Sequence, residues 1–253
     1  MDKISHMTDP RTLYLDLISK VIVNTIYGDP NDNEWLDRVY DPELRQEGRD
    51  WPQVAHSMAG IRRIENTREL CERAILEGIP GDFIETGVWR GGTCILMRAV
   101  LEAHGDPGRH VWCCNSFEGL PPPDPELYPV DAGDVYHTYK ELAISLEQVQ
   151  ANFACYGLLD ERTRFVKGFF RDTLHKLDAE CFSLIRLDGD MYELTIQALE
   201  ALHPKLSSGG FVIIDDYGAV PSCARAVDDF RAREGITAPM EVIDWTGVWW
   251  RNA

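Results

Sequence analysis

Acidic side chains follow two apolar segments of the chain. Asp188 and Asp190 come after FSLIRL at 182–187, and Asp215 and Asp216 follow FVII at 211–214. If both segments are buried strands, carboxylates at their ends are expensive to remove from water unless a positive charge compensates them. A hard divalent cation such as Mg²⁺, which prefers oxygen ligands, would supply that charge. The four acids therefore predict a metal site; solvated acids in surface turns are the alternative.

A glycine-rich turn, ETGVWRGG, lies at 85–92. Its glycines allow the backbone to pass close to a ligand and to turn into a helix. Trp89 stands where the G-x-G-x-x-G pattern has its second glycine, which argues against a nicotinamide dinucleotide. Glu85 suits a cationic or hydroxyl-bearing ligand better than a phosphate. Because an ordinary tight turn has the same composition, this segment is weak support for a binding site when taken alone.

Two further segments carry polar side chains that could meet a ligand. Asn115 and Ser116 follow the apolar stretch at 110–114, where they could bind a ribose or could simply form a turn. His137 lies in the Pro- and Asp-rich loop at 120–140 and could face a cleft, although a surface position is equally compatible with the sequence. The chain contains no HExxH, GxSxG, P-loop, HRD or DFG motif, which argues against several other chemistries.

The composition restricts partner and compartment. The formal net charge is −17, and no run of four or more Lys or Arg occurs, so nucleic acid and anionic membranes are unfavourable partners. Hydrophobic residues make up 44% of the chain, enough for a sizeable core. The 7 cysteines are scattered without a CxxC pair, which is typical of reduced thiols. The N-terminal segment is polar. We therefore expect a cytoplasmic protein.

The order of the elements predicts an α/β fold. Helical periodicity covers 11–27 and, from 55, runs to 76, with a loop and a short helix at 28–52 between them. Strands and helices then alternate, and the chain closes with a hairpin. Alternating elements with apolar strands imply a parallel sheet that is covered on both faces and binds ligands at its carboxyl edge. The predicted strands are 82–86, 110–114, 163–167, 182–187, 210–214, 240–243 and 248–251, and the predicted helices after the first strand are 91–103, 143–156, 193–206 and 222–233.

Five segments resemble the macrocin O-methyltransferase family, whose members methylate 6-deoxysugars on antibiotics such as macrolides and aminocoumarins. They are ETGVWRGG at 85–92, NSFEGLP at 115–121, GFFRDTL at 168–174, LDGDMY at 187–192 and SGGFVIIDDY at 208–217. The similarity continues through YLDLISKVIVNTIY at 14–27 and WPQVAHSMAGIRRI at 51–64, so it covers nearly the whole chain. It implies a class I methyltransferase (Rossmann-like) core at 81–253, with an antiparallel C-terminal strand and an α-helical N-terminal lid at 1–80.

The resemblance also implies roles for individual residues. Asp188, Asp215 and Asp216 would hold Mg²⁺, and Asp190 would be the general base. Asn115 departs from the family, which usually has Asp there. Asn still donates and accepts hydrogen bonds but lacks the charge-assisted strength, so ribose binding would be weaker or shared with Ser116. The residues expected around S-adenosylmethionine are Ser57, Met58, Glu85, Thr86, Gly87, Arg90, Gly91, Asn115, Ser116 and Asp188.

These observations predict an S-adenosylmethionine- and Mg²⁺-dependent O-methyltransferase of a deoxysugar attached to an antibiotic of the macrolide or aminocoumarin type. The nearest alternative is a Mg²⁺-dependent enzyme that methylates a catechol-like phenol, because adjacent phenolic oxygens would chelate the ion equally well. A binding module that has lost catalysis and a nicotinamide oxidoreductase are more distant alternatives. Apolar residues in the lid suggest a homodimer or a higher homo-oligomer.

Overall fold

The computed structural model describes residues 9–32 and 35–253. Seven strands and eight α-helices occur in this part of the chain, joined by short 3₁₀ turns. The helices are α1 (Pro10–Ile22), α2 (Pro42–Glu47), α3 (Ile61–Leu76), α4 (Gly92–Ala103), α5 (Leu146–Cys155), α6 (Phe170–Thr173), α7 (Tyr192–Leu202) and α8 (Pro221–Glu234). The strands are β1 (Asp82–Thr86), β2 (Val111–Asn115), β3 (Thr163–Lys167), β4 (Phe182–Leu187), β5 (Leu206–Ile214), β6 (Glu241–Val242) and β7 (Val248–Arg251).

The strands form one sheet in the order β3-β2-β1-β4-β5-β7-β6. Strands β1 to β5 are parallel, and the hairpin of β6 and β7 adds two antiparallel strands beside β5. The strand order reverses between β1 and β4, which is where α/β sheets open a crevice for ligands. Since β4 and β5 are neighbours, the acids that follow them are brought together as the sequence predicted.

A hydrophobic layer covers each face of the sheet. One layer includes α1, α3, α4 and α5, and the other includes α7 and α8. Helices α1 and α3, which lie within the predicted lid, pack into this core, because Leu15 of α1 and Ile64 of α3 belong to the same buried cluster as Leu96 of α4. Pairing of α1 and α3 with α4 places the segment between them above the carboxyl edge of the sheet.

The loop between α1 and α3 is organised around a buried arginine. Arg45 of α2 forms ion pairs with Asp29 and Asp50, and all three side chains are almost fully buried. It also donates to the carbonyl oxygens of Val23 and Asp29 at 3.2 and 2.9 Å. Because one guanidinium binds both acids, these three charged groups can be buried together within the loop. The sequence predicted the loop and its short helix but not the buried ion pairs of Arg45.

Several element boundaries differ from the predicted ones. The first helix ends at Ile22 rather than 27, and α3 begins at Ile61 rather than 55 because 55–60 is irregular. Helix α5 begins at Leu146, where Ser145 accepts a hydrogen bond from the amide of Gln148. Strand β5 is longer than predicted, and α7 ends at Leu202. All 7 cysteines are free. Among the described residues, no helix is both long and apolar enough to cross a lipid bilayer.

Candidate active site

A cavity of about 230 Å³ opens at the carboxyl ends of β1, β2, β4 and β5. Its walls also include Trp51 and Met58 from the N-terminal segment, Tyr136 from the loop after β2, and Trp245 from the hairpin turn. The lining contains eight of the residues predicted from the sequence, which are Met58, Gly87, Asn115, Ser116, Asp188, Asp190, Asp215 and Asp216. The fold thus assembles the predicted acids, the glycine turn and the end of β2 around one space.

The turn after β1 approaches the acids closely. Gly87 has φ = 85°, and a Cβ atom there would lie 1.6 Å from the carbonyl oxygen of Asp188. The amide of Asp188 donates to the carbonyl of Thr86 at 2.9 Å, which fixes the two strand ends against each other. Only glycine fits this contact, because any side chain would collide with backbone. The predicted cofactor turn and the predicted metal strand are therefore in direct contact.

Six predicted site residues lie outside the cavity lining, and five of them support it. Glu85 and Thr86 are buried in β1, and the Thr86 hydroxyl has no hydrogen-bond partner among the described residues. The Ser57 hydroxyl accepts a hydrogen bond from the amide of Ala59, and Gly91, with φ = 89°, directly precedes α4. Arg90 donates to the carbonyls of Pro52 and Ala55, which fastens the N-terminal segment to the glycine turn. These residues do not line the cavity but support the segments that do.

His137 is the sixth residue, and the structure does not bring it to the cavity. It lies in the 3₁₀ turn Tyr136–Thr138 with an exposed side chain, while its neighbour Tyr136 lines the cavity. The expectation that His137 faces the cleft is thus corrected to Tyr136. Ser116 lines the cavity, but its hydroxyl donates to the carbonyl of Gly119 at 2.5 Å and accepts from the amide of Glu118 at 3.0 Å. Both bonds lie within its own turn.

The acids at the ends of β4 and β5 form a compact cluster. One oxygen from each of Asp188, Asp215 and Asp216 lies within 4.8 Å of the others. Asp190 joins this cluster through its backbone amide, which donates to Asp216 Oδ2 at 3.2 Å. The backbone of Asp190 has φ = 55°, a left-handed conformation that is uncommon for residues other than glycine.

Two buried arginines, which the sequence reasoning missed, neutralise one side of the cluster. Arg186 of β4 forms ion pairs with Glu85, Asp188 and Asp215. Arg63 of α3 forms ion pairs with Asp215 and Asp244. The positive charge expected beside these acids is therefore supplied at Asp215 by protein side chains, because each of its two carboxylate oxygens accepts a hydrogen bond from an arginine. The signal for Arg186 was available, because it is the one charged residue in the apolar strand FSLIRL.

Sequence and structural comparisons identify the family of the chain. The sequence model described as "Macrocin-O-methyltransferase (TylF)" matches residues 11–252. The chain belongs to the macrocin O-methyltransferase family. It is 51% identical over 246 residues to the 8-demethyl-8-(2,3-dimethoxy-alpha-L-rhamnosyl)-tetracenomycin-C 4'-O-methyltransferase of Streptomyces olivaceus, with 96% of this chain and 94% of the relative covered.

Other relatives agree with this assignment. Demethyldecarbamoylnovobiocin O-methyltransferase of Streptomyces niveus is 46% identical, with 95% of this chain and 94% of the relative covered. The solved structure of the O-methyltransferase NovP superposes with a TM-score of 0.92 at 45% identity, covering 96% of this chain and 99% of that one. The fold is thus that of a class I methyltransferase, and membership of the macrocin O-methyltransferase family makes this chain an S-adenosylmethionine-dependent methyltransferase.

In this family member the acids fall into two groups. We call Glu85, Asp188 and Asp215 the matched acids, because each forms an ion pair with Arg186. We call Asp190 and Asp216 the unmatched acids, because neither forms an ion pair with a basic residue in ranges 9–32 and 35–253. Both unmatched acids are only partly exposed, and both line the cavity. They are the acids whose charge the protein itself leaves least compensated.

The pKa values of the matched acids follow the number of arginines at each. Burial raises the pKa of Asp215, but the guanidinium groups of Arg186 and Arg63 more than offset this, so that pKa lies below its ordinary value. Asp188 and Glu85 share Arg186. Burial and the charge of Asp215 raise the pKa of Asp188 to about 6, while burial raises the pKa of Glu85 to about 7. Arg186 lowers both values without fully offsetting burial.

The unmatched acids lack that compensation. Burial, and then the charges of Asp188 and Asp215, raise the pKa of Asp190 to about 8. Burial, and then the charges of Asp190 and Asp188, raise the pKa of Asp216 well above its ordinary value. Partly buried carboxylates with converging oxygens are the donor set that a hard divalent cation prefers. The cluster fits such an ion in its chemistry and in the spacing of its oxygens.

Proposed function

We propose that the protein transfers a methyl group from S-adenosylmethionine to a hydroxyl of a deoxysugar attached to an antibiotic, with Mg²⁺ held by Asp188, Asp215 and Asp216. The sugar substrate is supported by the names of relatives that are 43–51% identical and act on tetracenomycin, novobiocin and mycinamicin compounds. These names span more than the macrolide and aminocoumarin types expected from the sequence. The observation that carries the metal proposal is the cluster of three carboxylate oxygens within 4.8 Å.

The cofactor would occupy the β1 and β2 side of the cavity. S-adenosylmethionine, when bound, supplies a methyl group on a positively charged sulfur. Gly87 presents bare backbone there, and Asn115 offers an amide that can both donate to and accept from a ribose hydroxyl. Met58 contributes an apolar wall from the N-terminal segment. Five predicted cofactor residues would act indirectly, by holding the turn after β1 and the N-terminal segment in place. They are Ser57, Glu85, Thr86, Arg90 and Gly91.

The acceptor would lie on the β4 and β5 side. Mg²⁺, when bound, supplies positive charge that makes a nearby hydroxyl more acidic. Asp190 lines the cavity beside the cluster and would accept the proton of the acceptor hydroxyl. Without a metal ion, burial and the neighbouring carboxylates raise the pKa of Asp190 to about 8. A cation bound beside it would lower this pKa and so increase the fraction of ionised Asp190 that can accept a proton at neutral pH. Arg186 and Arg63 would hold Asp215 ionised and fixed, so that the site is formed before ligands arrive.

The test is mass spectrometry of an acceptor panel after incubation with S-adenosylmethionine. The panel contains rhamnosylated antibiotics, their aglycones and simple catechols, each with Mg²⁺ and with EDTA. We expect a gain of one methyl group on a glycoside, lost in EDTA and restored by excess Mg²⁺. Methylation of catechols alone would favour the phenol alternative. Full activity in EDTA would remove the metal from the proposal and leave the sugar substrate standing.

We further propose that the enzyme is a cytoplasmic homodimer or a higher homo-oligomer. Leu13 and Leu17 lie on the outer side of α1 and are more than half exposed, which is unusual for neighbouring leucines on one helix face. A second copy could cover them. Analytical ultracentrifugation of the protein and of a Leu13→Glu, Leu17→Glu variant would test this, and an unchanged mass of the variant would exclude α1 from the interface.

A further inference from the structure

The loop that lines the cavity is attached to α7 by one buried carboxylate. Asp131 lies at the end of the 3₁₀ turn Pro129–Asp131 and is 2% exposed. Its Oδ1 accepts from the amide of Tyr192 and its Oδ2 accepts from the amide of Glu193, both at 2.8 Å. Both carboxylate oxygens are therefore used, and both bind the first turn of a helix that lies some sixty residues further along the chain.

This contact caps helix α7, which has no side-chain cap from its own preceding residue. The residue before it, Met191, makes no side-chain capping bond. The first amides of an α-helix have no partner within the helix, and a carboxylate there also interacts favourably with the helix dipole. Helices α2 and α5 are capped by Asp41 and Ser145, the residues directly before them. In α7 the same function is supplied from a distant loop.

The capped turn carries the predicted base. Asp190 is two residues before Tyr192, and its left-handed backbone persists only if the surroundings hold it. On one side it is held by the bond from its amide to Asp216 Oδ2. On the other side the chain enters α7, whose first two amides are fixed by Asp131. The orientation of the Asp190 side chain therefore depends on the position of the helix start.

The same carboxylate fixes the opposite wall of the cavity. Tyr136 and Leu142, from the loop after β2, line the cavity, whereas Asp131 does not. Within this loop the amide of Asp134 donates to the carbonyl of Asp131 at 3.0 Å, which joins Asp131 to the segment that presents Tyr136. The ring of Tyr128 also packs on that of Tyr192, with centroids 6.1 Å apart. One carboxylate thus joins the loop segment that presents Tyr136 to the helix that follows Asp190.

We propose that Asp131 is a positioning residue for methyl transfer, which it supports by fixing the start of α7 and hence the direction of Asp190 relative to the loop wall. This inference rests on the proposed role of Asp190. Asp131 does not line the cavity, so it would touch neither ligand. Loss of the anchor should lower kcat, because small displacements of a reacting group reduce rates strongly, while binding of S-adenosylmethionine at β1 and β2 stays unchanged.

The experiment compares Asp131→Ala and Asp131→Asn with a matched control, Asp124→Asn. Asp124 lies in the same loop and also accepts from two backbone amides, those of Glu126 and Leu127, but both belong to the loop itself. We expect kcat to fall by about 10- to 100-fold in Asp131→Ala and by less in Asp131→Asn, which keeps one acceptor. The KM for S-adenosylmethionine should not change, and Asp124→Asn should resemble the parent enzyme.

Two readouts separate positioning from a general loss of structure. Hydrogen exchange should accelerate at the amides of Tyr192 and Glu193 in both Asp131 variants and not in the control. In an Asp190→Asn background, Asp131→Ala should lower kcat by a smaller factor than in the parent, because residues that act through one another are not additive. The milder Asp131→Asn variant answers both questions if the alanine variant does not fold.

The outcomes distinguish this inference from the proposed function. Parental kcat in both Asp131 variants, together with faster exchange at Tyr192 and Glu193, would overturn the positioning role while leaving Asp190 as base. An equal fold-loss in the parent and in the Asp190→Asn background would also overturn it, since Asp131 would then act independently of Asp190. Full activity of Asp190→Asn alone would overturn the base assignment and the positioning role together.

Discussion

The matched and unmatched acids of the cluster differ in what neutralises them. Among the matched acids, Asp215 meets two arginines and its pKa is lowered, whereas Asp188 shares one and its pKa rises to about 6. The unmatched acids have raised pKa values, with that of Asp190 at about 8. Burial disfavours every charge here, and the number of guanidinium groups decides the direction of each shift. The protein thus provides arginines for the matched acids and, within the part of the chain that the structure describes, no basic partner for Asp190 and Asp216.

Removing the proton acceptor from the unmatched side should have the largest effect. Asp190→Asn keeps the size of the side chain but cannot accept a proton, so we expect kcat to fall by about 10²- to 10⁴-fold. Binding of S-adenosylmethionine and of Mg²⁺, measured by calorimetry, should be retained. Full turnover with normal binding would mean that the unmatched side does not act as a base.

Removing the arginine shared by the matched acids should chiefly lower the stability of the protein. Arg186→Met leaves Glu85, Asp188 and Asp215 without their shared cation, which should lower the free energy of unfolding by about 3–5 kcal/mol. Urea unfolding in EDTA measures this. The control is Arg233→Gln, which removes an exposed pair with Glu200 and should change little. Equal, small effects of the two substitutions would show that burial of the matched acids does not need Arg186.

Removing an unmatched acid should raise the stability of the protein, in contrast to the loss expected for Arg186→Met. Asp216→Asn relieves repulsion between partly buried carboxylates, and its amide oxygen can still accept from the Asp190 amide. In EDTA we expect the midpoint of thermal unfolding to rise by about 2–4 °C, which corresponds to roughly 1 kcal/mol in a chain of this size. Mg²⁺ affinity should fall in the same variant. A lower midpoint would contradict the comparison, because Asp216 would then contribute to stability without a metal ion.

The smallest effect should come from introducing an acid at the end of β2, where it would contact the cofactor and not an arginine. Asn115→Asp restores the residue expected from the family resemblance. A charged acceptor strengthens a hydrogen bond to a ribose hydroxyl by about 1 kcal/mol, or roughly fivefold in the Kd for S-adenosylmethionine. Calorimetry with the cofactor measures this, and Ser116→Ala serves as control because the Ser116 hydroxyl is engaged in its own turn. An unchanged Kd in Asn115→Asp would place the ribose elsewhere.

The sequence predicted best what is local and periodic. The bounds of β1, β3 and β4 agree with the apolar runs, and the acids after β4 and β5 meet because those strands are neighbours. Contacts across long sequence separations were not accessible to such reasoning. Arg63 and Asp215 are 152 residues apart, and no periodicity signals that a lid arginine reaches the end of β5. His137 and Tyr136 were indistinguishable in a loop without periodicity.

The contact between Gly87 and the Asp188 carbonyl has a consequence for how this enzyme could change its substrate. The separation between methyl donor and acceptor would be set by backbone contacts and not by the rotamer of any side chain. These contacts are the pairing of Thr86 with Leu187 and the close approach of Gly87 to the Asp188 carbonyl. Substitutions in the loops around the cavity can therefore change which antibiotic is accepted without changing the distance between the methyl donor and the acceptor hydroxyl.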